Sequence, residues 1–143
     1  MQENGCGAIS NLALNDNNKV TIADAGGITT ILSAMKTHSS NDTVQEHVCV
    51  ALRNLAVNEN NKVTIAEAGG IPSILSAMRT HSSNARVQEH GCGALWKLAL
   101  NNGSNKVTIS DAGGKALIES AMRNHPSNAG VQENGNGALC NLW

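Results

Sequence analysis

The sequence predicts an all-α solenoid of about three 43-residue, three-helix repeats with one additional helix of the third type. Three observations carry that expectation: text that recurs at a fixed step, helical spacing of apolar residues, and Gly-Gly or Asn-rich punctuation between helices. The recurring text is "QENGCGAISNLALN" from Gln2, "QEHVCVALRNLAVN" from Gln45, "QEHGCGALWKLALN" from Gln88 and "QENGNGALCNLW" from Gln132. The first two steps are 43 residues and the third is 44, its extra residue falling in the turn "NNGSN". Residues 2–44 and 45–87 agree at about 30 of 43 positions. Such a period belongs to stacked units that share a core with their neighbours. The chain therefore reads as one domain over 1–143, with a third-type helix over 1–16 and units over 17–58, 60–101 and 104–143.

The second unit justifies each helix in turn. "NNKVTIAEAGG" begins at an Asn cap, Asn60 or Asn61, runs about two turns with Val63 and Ile65 apolar, and stops at Gly69 and Gly70, where left-handed backbone is accessible. "IPSILSAMRTH" places Pro72 in a first turn, where its missing N–H is harmless. Ile71, Ile74, Leu75 and Met78 follow the i, i+3, i+4, i+7 spacing of one buried stripe. His81, like His38 and His125, falls in the last turn, where it is expected to meet its own helix's final carbonyls. The third helix opens at Asn41 or Asp42, with Thr43 three residues before Glu46 in capping-box spacing. Its residues Val44, Val48, Ala51, Leu52 and Leu55 are expected to face the stack.

Composition narrows the function. A net charge of −1 with mixed signs offers no basic stripe for nucleic acid. No apolar run approaches the roughly 18 residues of a membrane span, and no signal-peptide pattern opens the chain. A cytoplasmic protein, with the nucleus as alternative, is the expectation. Cys6, Cys49 and Cys92 occupy equivalent repeat positions, Cys140 lies elsewhere, and no CxxC occurs. All four are read as small buried packing residues, with no metal site and no cofactor, because stacked helices about 8–10 Å apart cannot converge on zinc. No nucleophile elbow or phosphate loop is present. The repeated positions also lack the single asymmetric constellation that catalysis needs, so no catalytic residue is expected.

The stretch "NKVTIAEAGGIPSILSAMRTHSSNARVQEHGCGALWKLAL" resembles an armadillo repeat: a short helix ending "AG", a Gly-Ile-Pro entry, and a third helix opening "VQE". The resemblance covers essentially all of the chain. It implies a right-handed superhelix whose third helices line a concave groove, as in importin alpha and beta-catenin. It also implies a partner protein held as an extended peptide by an Asn near the end of each third helix. That position falls on Asn11, Asn54 and Asn141, with Lys97 in its place in the third helix of the second complete unit. The Trp that makes basic-side-chain pockets in importin alpha falls on Gly7, Val50, Gly93 and Gly137, so aromatic pockets are not expected.

Helical spacing extends each ladder position into a row: Asn4, Gly7, Asn11; His47, Val50, Asn54; His90, Gly93, Lys97; Asn134, Gly137, Asn141. The pattern is polar, small, polar, and the candidate peptide-binding residues are its polar members. Gly5, Gly91 and Gly135 fall on the stack-facing side and are expected to allow close helix packing. An alternative role follows from the first and last helices. Ile9 and Leu12 in one, and Leu139, Leu142 and Trp143 in the other, are expected to form a homo-oligomer interface if left uncovered. A piece of a longer array, or an engineered one, would give the same text.

Overall fold

The computed structural model describes all residues, Met1–Trp143. It contains ten helices: α1 (Gln2–Leu12), α2 (Asp16–Asp24), α3 (Gly27–Thr37), α4 (Asp42–Leu55), α5 (Glu59–Glu67), α6 (Gly70–Thr80), α7 (Ala85–Ala99), α8 (Gly103–Asp111), α9 (Gly114–Asn124) and α10 (Ala129–Leu142). After α1 they fall into three triplets of short, middle and long helix. The long helices form one continuous layer, α1 packing on α4, α4 on α7 and α7 on α10.

Each short helix is nine residues long and is capped by Asn15, Asn58 or Asn102, whose side chain accepts from the N–H of Asn18, Asn61 or Asn105. The cap thus lies two or three residues before the expected Asn60 or Asn61, and the units open at 15, 58 and 102. Asn61 is free for another task. Buried at 3% exposure, it donates from Nδ2 to Leu55 O and to Lys19 O, both at 3.1 Å. Asn18 donates likewise to Leu12 O at 3.1 Å and Asn105 to Leu98 O at 3.0 Å. Helix ends leave carbonyls without intrahelical partners; Asn105 supplies a donor to Leu98 O, while Leu12 O and Leu55 O, which also accept from Asn15 N and Asn58 N, gain a second. Of the expected apolar pair only Ile65 is buried. Val63, with Val20 and Val107, is solvent-exposed, because a two-turn helix presents one narrow face to the core.

Gly26, Gly69 and Gly113 end the short helices at φ of 78°, 81° and 79°, a left-handed conformation with little penalty for glycine. The glycine that follows each is needed for a different reason. A Cβ on Gly70 would sit 2.8 Å from Ile65 O, with the same crowding at Gly27 and Gly114.

In the middle helix Ile71, Ile74, Leu75 and Met78 are all buried as the spacing required. The histidines behave differently from expectation. His81 Nε2 lies 2.7 Å from Ser39 O and His125 Nε2 2.8 Å from Ser82 O, so each ring bonds the preceding unit. The end of the middle helix is closed by a glutamine of the long one. Gln88 Nε2 donates to Met78 O at 2.9 Å and His81 O at 3.0 Å, and Gln45 and Gln132 repeat the arrangement.

Asn41, Asn84 and Asn128 cap the long helices. The Thr43–Glu46 capping box does not form, since Glu46 pairs with Arg86 at 3.0 Å. Val44, Val48, Ala51, Leu52 and Leu55 are buried. The inserted residue is absorbed after α7, where Leu100 is extended and Asn101 takes a φ of 56°. Leu100 O then accepts from the buried Lys62 Nζ at 2.6 Å, which also pairs with Glu59 at 2.7 Å.

The stack-facing glycines divide by neighbour. A Cβ on Gly91 would lie 2.6 Å from Met78 Cγ, and one on Gly135 2.6 Å from Met122 Sδ, whereas Gly5 has open space. Gly5→Ala should therefore raise stability by about 0.5–1 kcal/mol through helix propensity. Gly91→Ala should lower it, because overpacking costs about 1–3 kcal/mol. Urea unfolding of the two variants checks both signs.

Candidate functional site

The polar row lies on the long-helix layer, and much of it is engaged within the stack. His47 Nδ1 meets Glu3 O at 2.9 Å, Asn54 Nδ2 donates to Ser10 O at 3.0 Å, and Asn134 Nδ2 donates to Glu89 O at 3.2 Å. Asn141 Nδ2 donates to Gly137 O of its own helix at 2.8 Å. Asn4 and Asn11 are exposed, and His90 and Lys97 are half-buried. Asn134, at 4% exposure, does not line an open surface as expected, because its amide closes onto the helix before it. On Asn54 one amide N–H is committed to Ser10 O, which leaves the second N–H and the Oδ1 acceptor.

The small positions are roofed by neighbouring units. The His47 ring covers Gly7, where a Cβ would lie 3.3 Å from Nδ1. Arg53 covers Gly93, with Cδ 2.9 Å and Nε 3.1 Å from a Cβ placed there. The Trp96 ring covers Gly137 at 2.6 Å on the same measure. Gly93 is consequently buried and is not an open floor. Arg53 and Trp96 escaped the sequence reading as site residues, although both stand one position before the ladder residue. That shared offset, opposite a glycine one unit later, was the signal. Lys97 Nζ stacks over the Trp96 ring at 4.3 Å from its centroid.

Position 50 breaks the series. Val50 stands where the other long helices carry Gly7, Gly93 and Gly137. His90 Nδ1 is buried without a hydrogen-bond partner. Burial holds the His90 imidazolium below its ordinary value, with Glu89 opposing the shift and Arg53 adding to it, and with weaker contributions from Glu46 and Arg86. An unfolded chain thus binds this proton more readily than the folded one. Stability falls as pH drops through the ordinary histidine value of about 6.5. Between about pH 7.5 and 5, His90→Asn should lose less thermal midpoint than the parent by a few degrees, measured by circular dichroism.

Cys6, Cys49 and Cys92 are buried, and Cys140 is exposed, unlike the expectation for it. Burial pushes the thiols of Cys49 and Cys92 up to about 12, so neither is a thiolate nucleophile at neutral pH. No group of three or more His, Cys, Asp or Glu side chains is arranged to hold a metal ion. No helix is long and apolar enough to cross a membrane.

The residues expected at an oligomer interface separate in the structure. Leu12 is 53% exposed and Trp143 83% exposed, Ile9 and Leu139 are half-buried against the core, and Leu142 is buried at 6%. Leu142 is thus a core residue, turned inward on α10. Trp143 is covered on one side by Lys115, whose Nζ lies 4.1 Å from its ring centroid.

Comparison with known proteins places this geometry. An engineered protein, Northeast Structural Genomics Consortium Target OR329, superposes with a TM-score of 0.86 at 26% identity, over 99% of this chain and 56% of that one. The designed armadillo repeat protein YIII(Dq)4CqI gives a TM-score of 0.87 at 21% identity, over 99% of this chain and 58% of that one. The chain thus spans a little over half the length of these structures. No curated protein sequence matches it. The sequence model of the family described as LRRK2 ARM repeat matches residues 1–143. The chain belongs to the LRRK2 ARM repeat family, and its fold is an armadillo-type α-solenoid.

Proposed function

We propose that the chain is a protein-interaction module that takes an extended peptide segment across the long-helix layer. The observation that carries this reading is the unbroken packing of α1, α4, α7 and α10, which sets Asn11, Asn54 and Lys97 at equivalent points on successive helices. An extended segment places alternate side chains on one face, about 6–7 Å apart, so a regular series of amides and a cation can meet its backbone and side chains in turn. Asn11 offers both donor and acceptor, and Asn54 its Oδ1 acceptor and second N–H. Asn141 continues this line on α10, and Asn4, His47 and His90 flank it, with His47 presenting Nε2 because Nδ1–H is directed at Glu3 O.

The test is an array of immobilised peptides of about ten residues, followed by fluorescence polarisation of those retained. Asn11→Ala combined with Asn54→Ala should weaken a true ligand about tenfold or more. Unchanged affinity removes the ladder assignment.

A second reading, self-association through the first and last helices, rests on the exposure of Leu12, Leu14 and Trp143. Light scattering over a wide concentration range tests it, and a constant mass near 14.8 kDa removes it.

A further inference from the structure

Charge is distributed unevenly over the long-helix layer. Acidic side chains recur near the start of each long helix, as Glu3, Glu46, Glu89 and Glu133. Two of them have polar partners. Glu3 Oε1 accepts from Asn41 Nδ2 at 2.8 Å, and Glu46 Oε1 pairs with Arg86 at 3.0 Å. The Glu89 carboxylate lies against Gly130, 2.6 Å from where a Cβ would stand. Gly130 belongs to the first turn of α10, where the helix dipole favours an anion.

Farther along the same helices the charge changes sign and loses its partners. The ion pairs of the chain are Lys19–Asp16, Lys62–Glu59 and Arg86–Glu46, so Arg53 and Lys97 have no carboxylate within 4.0 Å. The two cations meet the same long helix, α7, although they lie on different helices. Arg53 of α4 is laid along α7 over Gly93, and Lys97 stands one turn on from Gly93 on the same face. Neither is a freely waving surface side chain. Arg53 is half-buried with Cδ seated on Gly93, and Lys97 is half-buried with its ammonium held over Trp96. The orphaned, buried Nδ1 of His90 lies on the same helix, one turn before Gly93. Two positioned cations and an unsatisfied imidazole nitrogen thus lie along one stretch of the layer, where the nearby Glu46 is held by Arg86.

We propose that this layer takes an acidic extended segment, with one carboxylate set between Arg53 and Lys97. The proposal rests on the peptide-binding reading and gives that ligand its sign. A carboxylate there would form charge-assisted hydrogen bonds with the guanidinium and the ammonium. Trp96 fixes Lys97 by a cation–π contact and its ring also lies on Gly137, so it offers no open pocket for a basic side chain.

The test uses the full chain and three fluorescent peptides of about ten residues, blocked at both ends, that alternate Ser with Glu, Lys or Gln. By fluorescence polarisation the Glu peptide should bind at least about tenfold more tightly than the Lys peptide, and its affinity should fall as salt rises. Arg53→Glu with Lys97→Glu should weaken the Glu peptide by about ten- to a hundredfold and improve the Lys peptide. Arg53→Gln with Lys97→Gln should give a smaller loss, and carries the test if the charge-reversed protein does not fold. Tighter binding of the Lys peptide, or unchanged binding of the Glu peptide by both variants, overturns the proposal. Equal binding of all three peptides that still weakens with Asn11→Ala and Asn54→Ala overturns the charge assignment and leaves the peptide-binding reading standing. Absence of binding by all three overturns the charge assignment too, and the peptide array then decides the broader reading.

Discussion

The stack depends on a side-chain amide of one helix closing the carbonyl end of another. Gln45, Gln88 and Gln132 each give Nε2 to two carbonyls at the end of the middle helix. Asn18, Asn61 and Asn105 do the same for the end of the preceding long helix. In a fold built from short helices and tight turns, helix ends recur every ten residues or so, and several of their carbonyls face the interior. An unpaired buried polar group costs about 1–3 kcal/mol; the amides give Met35 O, Met78 O, Met122 O and Leu98 O a donor, and add a second donor to turn carbonyls such as His81 O and Leu55 O that already accept a backbone N–H. Apolar stripes bring the helices together. The amides determine how they meet.

That division explains what the sequence made legible. Period, helix number and the buried stripe Ile71, Ile74, Leu75, Met78 follow from spacing alone, because burial at helical intervals leaves a local mark. Which of several adjacent asparagines caps a helix does not. Asn58, Asn60 and Asn61 all suit the cap by residue type, and the acceptors Lys19 O and Leu55 O decide that Asn61 turns inward. The histidines follow the same logic, as their ring partners Ser39 O and Ser82 O lie one unit back. The second glycines were legible as small and illegible as roofed, since Arg53 over Gly93 and Trp96 over Gly137 are contacts about 40 residues apart in sequence.

The candidate site shows the same tension between stack and surface. A polar row read from one helix resembles a continuous ladder of free amides. In the stack, His47, Asn54 and Asn134 first serve the helix beside them, and the chemistry left over differs from unit to unit. Val50 in place of a glycine, and Lys97 in place of an asparagine, make the middle of the layer chemically distinct from either end. Near-identical text thus produces a surface that is not periodic.

Most bonds between units run from a side chain to main chain: His81 to Ser39 O, Asn54 to Ser10 O, Asn61 to Lys19 O, Arg79 to Ala112 O at 2.9 Å. A backbone acceptor is the same whatever side chain it carries. At these joints each unit therefore asks for the path of its neighbour's chain, and the residues that carry those carbonyls remain free to vary. An array joined in this way can be lengthened by duplication and then diversified position by position, with its joints already in place.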